Sequence, residues 1–337
     1  MTVSIVIPMR NGEPFIRQTL ESILSQSGPT GEPIDLEVVV VNDGSTDGSE
    51  TTVADIAQAD PRVRMIDGPQ QGIAPSLNAG INAATGDYLV RCDADDLLPP
   101  HRLAAQLDYL TKHPEALAVC GTYATISDKG KPLSSLDTGA DPADITDELH
   151  AGDTRTHFGT YMTRTSALNE LGGARPYFNG VEDVDLQLRL ATLGPVHYQP
   201  LDCYRYRLHG TSSTHTQPSP QRIFLTDTAR AFARQRAGTG ADDLMRGNPP
   251  DVPQDHAPGV DVREQAQGML MGEAWRHFRA GHRGKGIAIM WRAALARPAH
   301  PAGWTSLLQI LVKKRRCAIQ PLTKAPGTSA PAEPSHG

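Results

Sequence analysis

No apolar run of the length needed to span a bilayer occurs in the 337-residue sequence. The opening MTVSIVIPMRNG has too short an apolar segment and no charged leader for a signal peptide, so the expectation is a cytoplasmic protein. Cysteine is scarce. Cys92, Cys120, Cys203 and Cys317 form no C-x-x-C pair, which excludes a zinc knuckle, a redox motif and a disulfide framework. Positive charge is not in excess: 32 Lys and Arg against 38 Asp and Glu leave a net charge of −6, so no global field draws the chain to nucleic acid. Any phosphate binding is therefore local. Gly-x-Gly-x-x-Gly, the Walker Gly-Lys-Ser/Thr and the Gly-x-Ser-x-Gly elbow are all missing, which removes dinucleotide-binding, P-loop and serine-hydrolase readings.

What is present is alternation. Val3–Pro8, Leu36–Val41, Val63–Ile66 and Tyr88–Cys92 read as short strands, the second covered on both faces because only Glu37 interrupts it. Between them Pro14–Ser25, Ser76–Ala84 and Pro99–His113 carry apolar residues at helical spacing. Strand–helix alternation predicts βαβ crossovers and a mostly parallel sheet, an α/β fold whose ligand sits at the carboxyl ends of the strands. Beyond it, Leu117–Ile126 and His157–Thr163 read as strands, Val181–Leu193 as a helix and Val196–Leu208 as extended chain. The expected division is a catalytic domain over 1–236 and a Gly/Pro/Asp-rich linker over 237–261. A helical appendage over 262–320 (helices Val262–Ala280, Ile287–Arg297 and Trp304–Arg316) and a disordered tail over 321–337 complete it.

Chemistry concentrates where strands end. Asp93-Ala94-Asp95-Asp96 follows an apolar strand directly; such carboxylates repel one another, and a hard divalent cation, Mg²⁺ or Mn²⁺, is their natural partner. A helix cap would explain one of these residues but not three. Asn42-Asp43-Gly44-Ser45-Thr46-Asp47-Gly48-Ser49 follows another buried strand and by itself reads equally well as a polar turn. Glu182, Asp183 and Asp185 open a helix, where acidic residues suit the dipole; Asp183 is the more exposed candidate and a possible general base. His209 is a candidate metal or phosphate ligand, against the plainer reading of a structural histidine.

Five segments in order, SIVIPMRNG, VVVVNDGSTDGS, LNAGINAATGDYLVRCDADD, GVEDVDLQLRLA and YRYRLHGTSS, together resemble an inverting family 2 glycosyltransferase of the GT-A fold over roughly residues 3–215. The resemblance implies a nucleotide-sugar donor, UDP-linked by default, and a glycan, lipid-linked or other hydroxyl acceptor. It implies that Asp43 bonds the nucleotide base, with Pro8 and Asn11 on the nucleotide-facing first loop. Asp93 and Asp95 match the D-x-D motif, on the ribose side and on the Mn²⁺ or Mg²⁺ diphosphate respectively. Asp183 matches the catalytic base of an E-D motif whose first member is Glu182, His209 a position near the diphosphate and metal, and HFGTYMTRTSAL the acceptor-side strand with Thr160 near the acceptor. Leu77 and Ala79 stand where the family commonly has an Arg.

Such a transfer needs a metal to neutralise the departing diphosphate and a base for the acceptor hydroxyl. A sugar nucleotidyltransferase is the first rival, but PMRNGEP lacks the Gly-rich basic loop it would need. A non-catalytic interaction protein on a transferase scaffold is the second, and the intact Asp93, Asp95 and Asp183 count against it. In the appendage, Trp304, Leu307, Leu308, Leu311 and Val312 form a stripe running into Lys313-Lys314-Arg315-Arg316. Two readings stay open for residues 304–316: peripheral contact with an anionic membrane surface, or a core-packed last helix whose basic end suits its dipole.

Overall fold

Val3–Met9 (β1) and Leu36–Asn42 (β2) are almost entirely apolar, and each strand divides its side chains between two cores. Val6, Val39 and Val41 point to one face of the sheet; Ile5, Ile7, Val38 and Val40 point to the other. A strand buried on both faces must be covered on both, and the computed structural model shows helices doing so. It describes residues 1–135, 138–209, 220–253, 262–279 and 282–312. Cys317, the basic run 313–316, the tail 321–337, part of the 237–261 stretch and residues 210–213 of YRYRLHGTSS lie outside the described residues.

β1 pairs in parallel with β2 and with β4 (Tyr88–Arg91), and β2 in parallel with β3 (Val63–Asp67). The crossovers are α1 (Ile16–Leu24), α2 (Ser49–Ala59) and α3 (Ile73–Ala83). α3 begins three residues before the sequence placed it, because Pro75 sits in its first turn, where a missing N–H costs nothing. α4 (Arg102–Lys112) begins later than expected, after Pro99-Pro100 and a left-handed His101 with φ 62°.

The second half of the sheet is mixed. The strands are β5 (Ala118–Ser127), β6 (Pro132–Ser135), β7 (Ala143–Asp144), β8 (Met162–Arg164) and β9 (Val196–Leu208), giving the order β3-β2-β1-β4-β8-β5-β9-β7 with β6 paired to β5. β8 is antiparallel to both β4 and β5, and β5 is parallel to β9, so β5 and β9 run in the direction of β4. The segment His157–Thr163, expected as a continuous strand, is instead a 3₁₀ turn at Phe158–Thr160 followed by the short β8. Hydroxyls cause the break: Thr160 donates to the His157 carbonyl at 2.8 Å and Thr156 to the Gly121 carbonyl at 2.8 Å, giving the backbone an alternative to a ladder.

α5 (Thr146–Ala151), α6 (Thr165–Glu170), α7 (Glu182–Leu190) and α8 (Pro220–Thr239) cover the face opposite α1, α2 and α4. The stretch from 237, expected as a linker, is in its first part packed on this face. α8 runs to Thr239, Asp242 is fully buried between Arg175 and Arg236, and the Tyr177 hydroxyl donates to the Pro250 carbonyl at 2.7 Å.

Three further helices, α9 (Val262–Arg279), α10 (Arg283–Ala296) and α11 (Pro301–Val312), build their own small core from Leu270, Ala274, Met290, Ala293, Leu307 and Ile310. Leu307 of the predicted stripe thus faces inward, while Leu308, Leu311 and Val312 are exposed, as are Trp291 and Leu295 of α10. No helix among the described residues is long and apolar enough to cross a membrane.

Candidate active site

The loops after β1 and β2 are tied to each other. Asn11 takes a left-handed backbone, φ 57°, so that its carboxamide oxygen accepts the Thr46 N–H at 2.8 Å while its own N–H donates to Ser45 Oγ at 3.0 Å. The Gly12 N–H donates to Ser49 Oγ at 2.8 Å, and Pro8 is the half-buried residue that leads β1 into this corner. Asp43 turns its carboxylate to the loop after β3, accepting the Gln70 and Gly72 N–H groups at 2.7 and 3.1 Å. The asparagine before the E-D motif closes the rim: Asn179 Oδ1 accepts the Ala74 N–H at 3.1 Å, bonding the open end of α3.

The Asp93–Asp96 turn rests on β9. Asp93 N–H donates to the buried Tyr204 hydroxyl at 3.0 Å, Arg207 N–H donates to Asp96 Oδ1 at 2.6 Å, and the Arg207 guanidinium donates to the Asp95 carbonyl at 2.6 Å. Asp96 belongs to the core: burial, then the charges of Asp95 and Asp93, hold its carboxyl well above the usual carboxylate range. Asp95 points outward, its side chain 25% exposed, with Oδ2 2.7 Å from His209 Nε2. His209 packs on Phe15 with ring centroids 4.5 Å apart. One carboxylate and one imidazole on an open rim suit Mg²⁺ or Mn²⁺, ions that take one or two protein ligands and complete their shells with phosphate and water.

Arg91 joins this turn to the E-D motif. Its guanidinium, 5% exposed, lies 2.8 Å from Asp93 Oδ1 and 3.0 Å from Glu182 Oε1. Burial opposes that charge, but Asp93, Glu182 and Asp183 together raise the Arg91 pKa. Burial pushes the Glu182 carboxyl up to about 7 against the pull of Arg91. Glu182 is 2% exposed and also accepts the Gly180 N–H at 2.9 Å, so it holds the α7 terminus in place and does not open to the cleft. Asp183 is the outward member of the pair. Its Oδ2 lies 3.7 Å from Nε2 of His157, an imidazole whose pKa burial lowers although Asp183 opposes the shift.

The structure therefore brings Asp93, Glu182 and Asp183 together through Arg91, and Asp95 to His209. It does not bring Thr160 to the cleft. Thr160 is fully buried with its hydroxyl on the His157 carbonyl, and His157 is the residue of this segment that reaches Asp183. Leu77 is buried and Ala79 packs against the same core, so neither offers a polar grip on a ligand. Sequence reasoning missed Arg91, His157 and Tyr204. Arg91, a charge closing an otherwise apolar strand one residue before Cys92, was the signal available; His157 and Tyr204 gave none.

The family described as Glycosyl transferase family 2 matches residues 4–171. The chondroitin synthase of Pasteurella multocida (strain Pm70) is 29% identical over 212 residues, 63% of this chain and 21% of that protein. An uncharacterised glycosyltransferase, EpsJ of Bacillus subtilis (strain 168), is 34% identical over 161 residues, 45% of this chain and 44% of that one. The chain thus spans less than half the length of these relatives. The crystal structure of S. aureus TarS 1–349 superimposes with a TM-score of 0.53 at 15% identity, covering 88% of this chain and 81% of that one. A second TarS structure, in complex with UDP-GlcNAc, gives 0.52 at 14% identity. With the ordered motifs, the parallel β3-β2-β1-β4 half-sheet and its strand-end loops, these matches place the chain in glycosyl transferase family 2, with the GT-A fold.

Proposed function

We propose that the chain moves a sugar from a nucleoside diphosphate sugar to an acceptor hydroxyl with inversion at the anomeric carbon. The observation that carries this reading is the Arg91 bridge, 2.8 Å to Asp93 and 3.0 Å to Glu182, which fixes the D-x-D turn and the base-bearing end of α7 in one cleft. UDP is the proposed nucleotide, supported by the UDP-GlcNAc complex of TarS. The base is assigned to the corner built by Pro8, Asn11 and Asp43, and the ribose to Asp93.

Asp95 and His209 would hold the divalent ion, Mn²⁺ or Mg²⁺, which when bound supplies the charge that stabilises the leaving diphosphate. Asp183 accepts the proton of the attacking hydroxyl. His157, whose Nδ1 accepts the Gly159 N–H at 3.0 Å, carries its proton on Nε2 and turns that N–H toward Asp183. Glu182 and Arg91 orient the helix end.

For the acceptor we favour a lipid-linked or glycan hydroxyl. A cavity of about 330 Å³ between β5, β6, the end of β9 and helices α9 and α10 is lined by Leu133, Leu208, Leu270 and Leu295, with Thr125, Ser134 and Arg292 as its polar members. The exposed Leu308, Leu311 and Val312 of α11 continue in sequence into the basic residues 313–316, and we assign residues 304–316 to peripheral contact with the inner face of an anionic membrane, and with it a cytoplasmic location to the protein. Flotation with anionic liposomes at low salt tests the contact, and absence of binding removes it. Transfer itself is tested with a panel of nucleoside diphosphate sugars and Mn²⁺, reading release of the diphosphate. Release from one donor, lost in Asp95→Asn and in chelator, supports the reading. A folded protein that neither binds nor turns over any donor overturns it.

A further inference from the structure

At the opposite end of the sheet from these loops, three side chains form a second cluster that the transfer chemistry does not use. We propose that His113, Glu115 and His197 are a binding site for a late first-row divalent transition ion of the Zn²⁺ type. Among the described residues they are the one set of three His, Cys, Asp or Glu side chains whose donor atoms all lie within 4.8 Å of one another. His113 caps the carboxyl end of α4, Pro114 stops the helix, and Glu115 follows two residues on, while His197 is the second residue of β9. Both β5 and β9 start here, so the cluster lies at strand amino ends, whereas Asp43 and Asp95 follow strand carboxyl ends.

The geometry suits coordination. His113 Nδ1 and Glu115 Oε1 are 3.1 Å apart. Two donors each at about 2.0–2.1 Å from a tetrahedral ion are separated by about 3.4 Å, so this edge of the polyhedron is already in place. His197 Nδ1 lies 2.9 Å from the Tyr109 hydroxyl, which directs Nε2 to the ion and fixes the ring in the way that outer partners of metal-bound histidines do. Tyr109 also stacks on His113, ring centroids 4.2 Å apart, so one side chain orients both imidazoles.

Asp144, the carboxylate paired with His197 across β7 and β9, accepts from the Thr146 N–H at 2.9 Å and from its hydroxyl at 2.5 Å, and belongs to that turn. Two neutral imidazoles and one carboxylate are a zinc-type donor set, with a fourth position left to water. Mg²⁺ and Mn²⁺ favour oxygen-rich shells; the Asp95 rim offers a single imidazole and leaves most of the shell to phosphate and water, whereas this cluster offers two imidazoles to one carboxylate. The ion would clip the end of α4 to the start of β9, elements 84 residues apart in sequence, counting from His113 to His197.

The test is Zn²⁺ titration of the full chain in excess Mg²⁺, by competition with a chromophoric chelator, with Co²⁺ as a spectroscopic probe. One equivalent should bind, with tetrahedral Co²⁺ absorption and a raised thermal midpoint. His113→Ala and His197→Ala should each lose at least a hundredfold in affinity, and Tyr109→Phe about ten- to a hundredfold. Asp95→Asn should bind Zn²⁺ as the parent does. All four side chains are half-buried, and circular dichroism checks each fold. Equal Zn²⁺ affinity in parent and His113→Ala/His197→Ala, or no binding at micromolar Zn²⁺ in the folded parent, overturns the proposal.

Discussion

Nε2 of His157 lies 3.7 Å from Oδ2 of Asp183, and Nδ1 of the same ring accepts the Gly159 N–H at 3.0 Å. The second contact fixes the tautomer, and the first aims a neutral N–H at the proposed base. His157→Ala should therefore lower kcat about ten- to a hundredfold while the donor Kd stays within about twofold, because the ring positions Asp183. His157→Gln, whose amide can still donate, should recover part of the loss. A variant that weakens donor binding and leaves kcat intact would place His157 elsewhere in the cycle.

Asp43 and Asp183 should separate binding from chemistry. Asp183→Asn keeps the shape of the side chain but removes the base, and should cost about 10²–10⁴-fold in turnover with donor affinity little changed. Asp43→Ala releases the Gln70 and Gly72 N–H groups, so the loop after β3 loses its tether and donor binding weakens while bound donor reacts more nearly normally. Calorimetric titration with UDP and single-turnover rates check both arms. Wild-type turnover in Asp183→Asn moves the assignment away from this residue.

The two variants also mark how far sequence reaches. The strands leading to Asp43 and Asp93 were legible because a strand buried on both faces is almost wholly apolar, so the polar cluster that follows it marks its end. Asp183 stood out through its place in a first helical turn and through the ordered motifs. The bridging role of Arg91 was not legible, since its partners Asp93 and Glu182 lie 2 and 91 residues away and only the folded chain brings both to one guanidinium. Thr160 was misplaced for a related reason. The family resemblance put Thr160 on an acceptor-side strand, but the Thr156 and Thr160 hydroxyls bend the backbone into a 3₁₀ turn that buries Thr160 and presents His157. Asp242 hid in a stretch whose Gly and Pro content reads as loop.

Glu37 should make stability depend on acid. Burial alone would raise its carboxyl, but the Ser4 hydroxyl at 2.6 Å, the Thr85 N–H and hydroxyl at 2.6 and 2.8 Å, and Arg64 at 3.2 Å outweigh it and lower the group from 4.5 to about 2. A carboxylate held below its unfolded value contributes stability that is complete above about pH 4.5 and lost as pH falls toward 2. Glu37→Gln should cost about 1–2 kcal/mol at pH 7 and very little near pH 2. Urea midpoints at pH 7 and in the acid window measure the difference, and a cost that stays constant with pH refutes the assignment.

The largest single loss of stability should come from Asp242. Its carboxylate is fully buried, 2.8 Å from Arg175 Nη1 and 2.5 Å from Arg236 Nη1, and it also accepts the Met245 N–H at 2.9 Å. Burial opposes its ionisation, but these donors lower its pKa all the same. Arg175 in turn bonds Asp185, which receives Arg189 at 2.9 Å, so one network fastens α7, α8 and the chain after α8. Removing the carboxylate in Asp242→Ala leaves Arg175 sharing Asp185 with Arg189 and leaves Arg236 without its ion partner. Truncating one member of such a buried set costs about 3–5 kcal/mol. The loss should appear in the urea midpoint, whereas activity at low temperature, where the chain is still folded, should stay near the parent value because the Asp183–His157 contact is untouched. A stability change below about 0.5 kcal/mol would mean that water reaches this network and that the segment after α8 is not docked as described.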